Sequence, residues 1–122
     1  MKRVVITGAG TINALGHSVP ETLEAMREGR CGIGELEMRD VDRLAIRIGG
    51  QVRGFEAEGR FNRQQMALYD RFTQFALVAA REAMAQSGLE FSGEMAARCG
   101  VVLGNSGGGM TTLDDNYRTV YE

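Results

Sequence analysis

The chain has 122 residues, 43% of them hydrophobic and 25% charged, with a formal net charge of −2 at pH 7, which suits one modest globular core. Acids and bases are interspersed, so no basic stripe is offered to a nucleic acid. No apolar run approaches the about 18 residues of a membrane span, and the one after Met1-Lys2-Arg3 is too short for a secretory signal, so a cytoplasmic protein with no nucleic-acid or membrane partner is expected.

"RVVITG" (Arg3 to Gly8) carries its β-branched residues in continuous order, as a strand covered on both faces does. A glycine-rich turn follows, and then a helix: Ser18 is placed to cap it, Glu21 to complete a capping box, Pro20 to fit the first turn and Gly29 to end it. Leu23 and Met26 are expected to point inward. The pattern weakens from Cys31 to Phe55, where "LAIRIGGQVRGF" (Leu44 to Phe55) fits a strand or a hairpin around Gly49-Gly50. Asn62 is a candidate cap for a helical turn through "RQQMAL". The strongest helix runs from Asp70 to Gly88, with Phe72, Phe75, Ala76, Ala79, Ala80 and Ala83 on an inward stripe small enough for close backbone approach. "CGVVLG" (Cys99 to Gly104) repeats the character of the first strand, and "NSGGG" (Asn105 to Gly109) repeats its glycine-rich exit. Met110 to Glu122 reads as a helix with Met110, Leu113, Tyr117 and Val120 on one face. That helix has no stop signal, and two continuous apolar strands need more neighbours than these residues supply. The expectation is the front part of a larger α/β protein.

A dinucleotide fingerprint needs G-x-G-x-x-G opening a helix directly after the strand. Gly8 and Gly10 fit, but Asn13 holds the third position and the helix starts only near Ser18. A mononucleotide loop needs a lysine after the glycines, and the only lysine is Lys2. The turn therefore reads as a strand-to-loop connection. "GNSGGG" supports two readings, a tight turn or close backbone approach to a ligand at the carboxyl end of a strand. His17 is the only histidine and reads as a solvated loop residue; no triad can be assembled around it. Cys31 and Cys99 lie far apart without metal-ligand spacing and are expected to be buried free thiols. Asp114-Asp115 reads as a solvated helix face. Asp70-Arg71 fits either a cap with a local ion pair or an interface contact. No catalytic, metal-binding or cofactor-binding residue is assigned.

"VVITGAGTINALG", "GRCGIGEL", "YDRFTQFALVAAREAMAQSGL" and "CGVVLGNSGGGM" together resemble, in order and spacing, the N-terminal part of the β-ketoacyl-acyl-carrier-protein synthases. The resemblance covers essentially the whole chain. It implies a thiolase-like α/β fold of two βαβαβαβ halves, each with a mixed five-stranded sheet, of which residues 1–122 are the front part of the first half, and it implies a homodimer. The implied reaction is a decarboxylative Claisen condensation of an acyl thioester with malonyl-carrier protein, needing no cofactor or metal. In this family the nucleophilic cysteine lies beyond the stretch that matches these residues, and neither Cys31 nor Cys99 aligns with it. The segment is thus expected to be inactive alone while supplying fold, dimer and acyl-pocket elements.

The resemblance also suggests sites. Gly107, with Gly108 beside it, aligns where some relatives carry an Ile that gates the acyl pocket, so both are taken as substrate-binding. Arg63 aligns with a carrier-protein contact. Arg71 is basic as well, but Gln64, Ala67 and Leu68 stand where charge is expected, which weakens electrostatic steering of an acidic acyl- or malonyl-carrier protein. The alternatives are a non-catalytic partner of the chain-length-factor type and a polyketide ketosynthase. A nucleotide-dependent reductase ranks below these because the third glycine is absent.

Overall fold

The structure, a computed structural model, describes residues 2–121. Helix α1, Val19–Arg27, begins as its sequence dictates, with the Ser18 hydroxyl accepting from the Glu21 amide at 3.3 Å and Pro20 in the first turn. The Glu21 carboxylate, however, reaches back past the cap to the amide of His17 at 2.7 Å. Gly29, at φ 67°, ends the helix, and Arg30 donates to the Ala25 carbonyl at 2.9 Å. The inward residue is Ala25, fully buried, whereas Leu23 and Met26 are 45% and 63% exposed, contrary to expectation. A small side chain takes the close contact and the two larger ones lie at its rim.

The only sheet among the described residues is a two-stranded antiparallel ribbon, β1 (Ile33–Glu35) with β2 (Ile48–Gly50), in the register Ile33 to Gly50, Gly34 to Gly49 and Glu35 to Ile48. Gly49-Gly50 therefore lies inside a strand instead of turning a hairpin. Gly49 and its cross-strand partner Gly34 suit that place because a Cβ on Gly49 would stand 2.9 Å from Leu36 Cδ2, and one on Gly34 3.1 Å from an Arg53 guanidinium nitrogen. Glycine leaves room for those two side chains to cross the ribbon. A single 3-10 turn, Val41–Arg43, lies in the connection.

Helix α2, Arg63–Leu68, carries the complete capping box: Asn62 accepts from the Gln65 amide at 2.8 Å, and the Gln65 side chain accepts from the Asn62 amide at 3.0 Å. Replacing Asn62 with Ala is expected to cost about 1 kcal/mol, read as a shifted urea midpoint at constant slope. An unchanged midpoint would show that the cap contributes nothing. Helix α3, Arg71–Ser87, follows within two residues of α2 and ends at Gly88, φ 62°.

Helix α3 makes the close backbone approach that its alanines suggest, although none of its described side chains is buried. A Cβ on Gly10 would overlap the Ala79 carbonyl oxygen and lie 2.7 Å from the carbonyl carbon; one on Gly8 would overlap the Ala83 carbonyl oxygen. Ala80, expected in the same stripe, is exposed. The helix therefore meets the glycine-rich turn along the Ala79–Ala83 line. A short helix α4, Gly93–Ala97, follows, for which the sequence pattern carries no clear signal.

The strands expected at 3–8 and 99–104 do not form ladders. Val4 and Ile6 are 96% and 92% exposed, and Val101 and Val102 are 93% and 100% exposed. Continuous apolar strands need neighbours on both edges and cover on both faces, and the described residues supply neither. Cys99, placed in the second of these segments, is accordingly exposed, as is Cys31, correcting the expectation of buried thiols.

Helix α5, Met110–Tyr121, is tied down through its polar side. Arg118 bonds Asp40 at 2.8 Å and Asp114 at 3.1 Å, and Asp115 pairs with Arg39 at 3.3 Å. Asp114 and Asp115 stay on a solvated helix face, as expected, while Asp115 with Arg39 and Arg118 with Asp40 link that face to the connection between β1 and β2. The apolar side, Met110, Leu113, Tyr117 and Val120, is exposed.

Candidate functional site

The first glycine turn is organised by its own chain. The amide of Ala9 donates to Gln86 Oε1 at 2.6 Å, that of Thr11 to Glu82 Oε2 at 3.0 Å and that of Val19 to Glu82 Oε1 at 2.7 Å. The donors that a phosphate would need in a nucleotide fold are already taken by a half-buried carboxylate and an amide of α3. Asn13, the residue that breaks the fingerprint, closes the loop: its carboxamide accepts from the Leu15 amide and donates to the hydroxyls of Thr11 and Thr22, and Asn13 and Gly16 form a bridge. Glu82 is a structural anion where a ligand anion was sought. It was missed in the sequence because the amides it binds lie 63 and 71 residues away.

His17 is likewise engaged. Its Nε2 lies 2.8 Å from the Arg53 carbonyl and its ring meets Phe55 edge-on at 6.0 Å, so this loop residue is partly covered and engaged by its own chain. An open cleft of about 180 Å³ lies beside it, lined by Asn13, Leu15, His17, Glu21, Gln51 and Arg53 among others. The polar groups of these residues are committed to the chain. Arg53 pairs with Glu37 at 2.8 Å and also donates to the Glu35 carbonyl, and Gln51 bonds both backbone groups of Glu37.

The second glycine segment differs in kind. Asn105 Oδ1 accepts from the Gly108 amide at 3.2 Å. Gly107 and Gly109 have φ of 73° and 84°, which favour glycine. Gly108 does not, but a Cβ there would lie 2.8 Å from Phe72 Cγ and 2.8 Å from Asn105 Oδ1. At Gly109 it would lie 3.2 Å from Asp70 Oδ2, and at Gly107 nothing lies within 4 Å. The loop has one side seated on the first turn of α3 and one side open, and Gly107 is on the open side.

Arg63, the first residue of α2, is exposed and has no carboxylate partner among the described residues. Arg71 is pinned: it donates to the Val52 carbonyl at 2.9 Å and its guanidinium lies 5.2 Å from the Phe75 ring centroid and 5.9 Å from that of Phe55. Neither an Asp70–Arg71 ion pair nor an Asp70 cap bond is formed. Two further arginines that the sequence did not single out lie over aromatic rings, Arg60 over Phe55 at 5.9 Å and Arg81 over Phe61 at 5.1 Å. Among the described residues no group of three or more His, Cys, Asp or Glu is placed to hold a metal ion, and no helix is long and apolar enough to cross a membrane.

Residues 1–122 match the family described as Beta-ketoacyl synthase, N-terminal domain, and the chain belongs to that family. It is 36% identical over 113 residues to a 3-oxoacyl-[acyl-carrier-protein] synthase 2 of Staphylococcus aureus, covering 93% of this chain and 27% of that protein. It is 32% identical over 121 residues to the protein of the same name from Vibrio cholerae, covering 99% and 29% respectively. It is 37% identical over 119 residues to Nodulation protein E of a Rhizobium species, covering 98% and 29%. The chain thus spans 27% to 29% of the length of these relatives.

Proposed function

We propose that the protein carrying this segment is a 3-oxoacyl-acyl-carrier-protein synthase. It joins an acyl thioester to malonyl-carrier protein with loss of CO₂ in fatty-acid synthesis. The observation that carries this reading is the family match over all 122 residues, joined to relatives named as such synthases. On this reading the fold is thiolase-like, and Val4 to Ile6 and Val101 to Leu103 become interior strands once the sheet is complete. Their exposure in residues 2–121 supports it, since bare apolar segments of this length are costly to leave in water. The protein works as a cytoplasmic homodimer, and residues 1–122 alone are inactive.

Within this reading Gly107 and Gly108 belong to the acyl pocket and Arg63 meets the carrier protein. The open surroundings of Gly107 and the exposed guanidinium of Arg63, which has no carboxylate partner among the described residues, support these roles. The test is the full-length protein with an acyl primer and malonyl-carrier protein: release of CO₂ with formation of a 3-oxoacyl product is expected, and its absence counts against the assignment. Gly107→Ile is expected to lower kcat/KM for the longer acyl primers by about tenfold or more by occupying the open side, at a fold cost of about 1–2 kcal/mol for a side chain in the left-handed region. Equal chain-length profiles for mutant and parent would remove Gly107 from the pocket.

A second reading is a ketosynthase of a polyketide or otherwise specialised pathway. It is supported by the relative named Nodulation protein E, which is as similar to this chain as the synthases are. A full-length protein that condenses only with a carrier other than the fatty-acid one would favour it.

A further inference from the structure

The 105–109 segment cannot hold its own shape. It contains three consecutive glycines, the least restrained backbone available, and its internal bond is the one from the Gly108 amide to Asn105 Oδ1. Its support comes from outside. One edge of the Phe72 ring runs beneath it: Cγ and Cδ1 would lie 2.8 and 2.9 Å from a Cβ on Gly108, and Cε1 3.7 Å from one on Gly109. Asp70 Oδ2 stands on the same side, 3.2 Å from a Cβ on Gly109. Both side chains come from the start of α3, the helix locked against Gly8 and Gly10 by contact with the Ala79 and Ala83 carbonyls. Gly107, by contrast, faces nothing within 4 Å.

We propose that Phe72 is the positioning residue of this loop, and that by fixing residues 108–109 it sets where position 107 stands and so how sharply the acyl site discriminates chain length. The specificity half rests on the reading of Gly107 as acyl-facing. The physical argument is one of order. A triglycine loop released from its seat samples many positions, and a pocket wall that moves loses discrimination between chains differing by a few methylenes. Truncating Phe72 should therefore flatten the chain-length profile. Filling position 107, in contrast, should shift the profile toward shorter chains.

The test compares Phe72→Ala, Phe72→Leu, Phe72→Tyr and Gly108→Ala in the full-length protein by two readouts. The first is hydrogen exchange of the peptide spanning residues 104–110. Phe72→Ala is expected to speed it about tenfold or more while leaving the 71–87 helix protected, and Phe72→Tyr, which keeps the ring, to restore parent-like protection. Phe72→Leu replaces the Ala variant if the latter does not fold. Gly108→Ala is expected to speed exchange in the parent and to be partly tolerated beside Phe72→Ala, which removes the Cγ and Cδ1 atoms that the added methyl group would meet. The second readout is kcat/KM across a series of acyl primers, where the ratio between best and worst chain lengths is expected to fall about fivefold in Phe72→Ala and to stay unchanged in Phe72→Tyr. Unchanged exchange in both the Ala and Leu variants overturns the positioning role, whatever the activity shows. Faster exchange with an unchanged profile keeps the positioning role and overturns its link to specificity. If Gly107→Ile alters the profile while the Phe72 variants alter neither readout, the acyl-facing reading stands and this proposal fails.

Discussion

Replacing Gly10 with alanine is expected to be among the most damaging single substitutions in the segment, costing about 3 kcal/mol or more, at or beyond the upper end of overpacking effects. The added Cβ would overlap the Ala79 carbonyl oxygen and crowd its carbonyl carbon at 2.7 Å. The obstacle is main chain in the middle of a 17-residue helix, so no rotamer change relieves it. Either α3 moves off the turn or the turn distorts. Gly29→Ala is the matched control: its φ of 67° carries a strain of about 1 kcal/mol, but nothing lies within 4 Å of the new methyl group. Urea denaturation of the full-length protein should therefore separate the two variants by about 2 kcal/mol. Equal midpoints would mean that the contact between the turn and α3 does not limit stability.

Glu82→Ala is expected to cost about 2 kcal/mol. It removes one carboxylate that holds two amides, that of Thr11 in the first glycine turn and that of Val19 at the start of α1. Bonds to a charged acceptor contribute about 1.5–3 kcal/mol each when the partner is left unsatisfied, and partial access of water reduces the sum. Glu82→Gln retains an acceptor oxygen for one amide and should recover about half the loss. Exchange protection at the Thr11 and Val19 amides is the direct measurement, and it should fall at both in the Ala variant. Protection retained at both would show that water or another group replaces the carboxylate without penalty.

What could be read in the letters was the part governed by neighbours. Helices α1, α2 and α3 start and stop within a residue or two of their expected limits because Ser18, the Asn62–Gln65 pair and Gly88 act on backbone groups at most a turn away. The family was legible for a related reason, since four ordered motifs preserve spacing even where individual roles are obscure. The site was less legible. Gly107 and Gly108 looked alike, yet one is needed for its φ and the other for the Phe72 ring beneath it. Arg71 read as half of a local ion pair with Asp70 or as an interface contact, and it is folded over Phe55 and Phe75.

The sequence by itself determined helices α1, α2, α3 and α5, the caps at Ser18 and Asn62, the failure of the nucleotide fingerprint at Asn13 and the family to which the chain belongs. Only the tertiary structure decided why the first glycines are glycines, which anion occupies the turn, how residues 33–35 pair with 48–50, and which way the second glycine loop is open. The division has a physical cause. Caps and turns act over a few bonds and leave a local pattern. The contacts of Gly10 with Ala79 and of Thr11 with Glu82 join residues about 70 positions apart, and short-range periodicity carries no record of them.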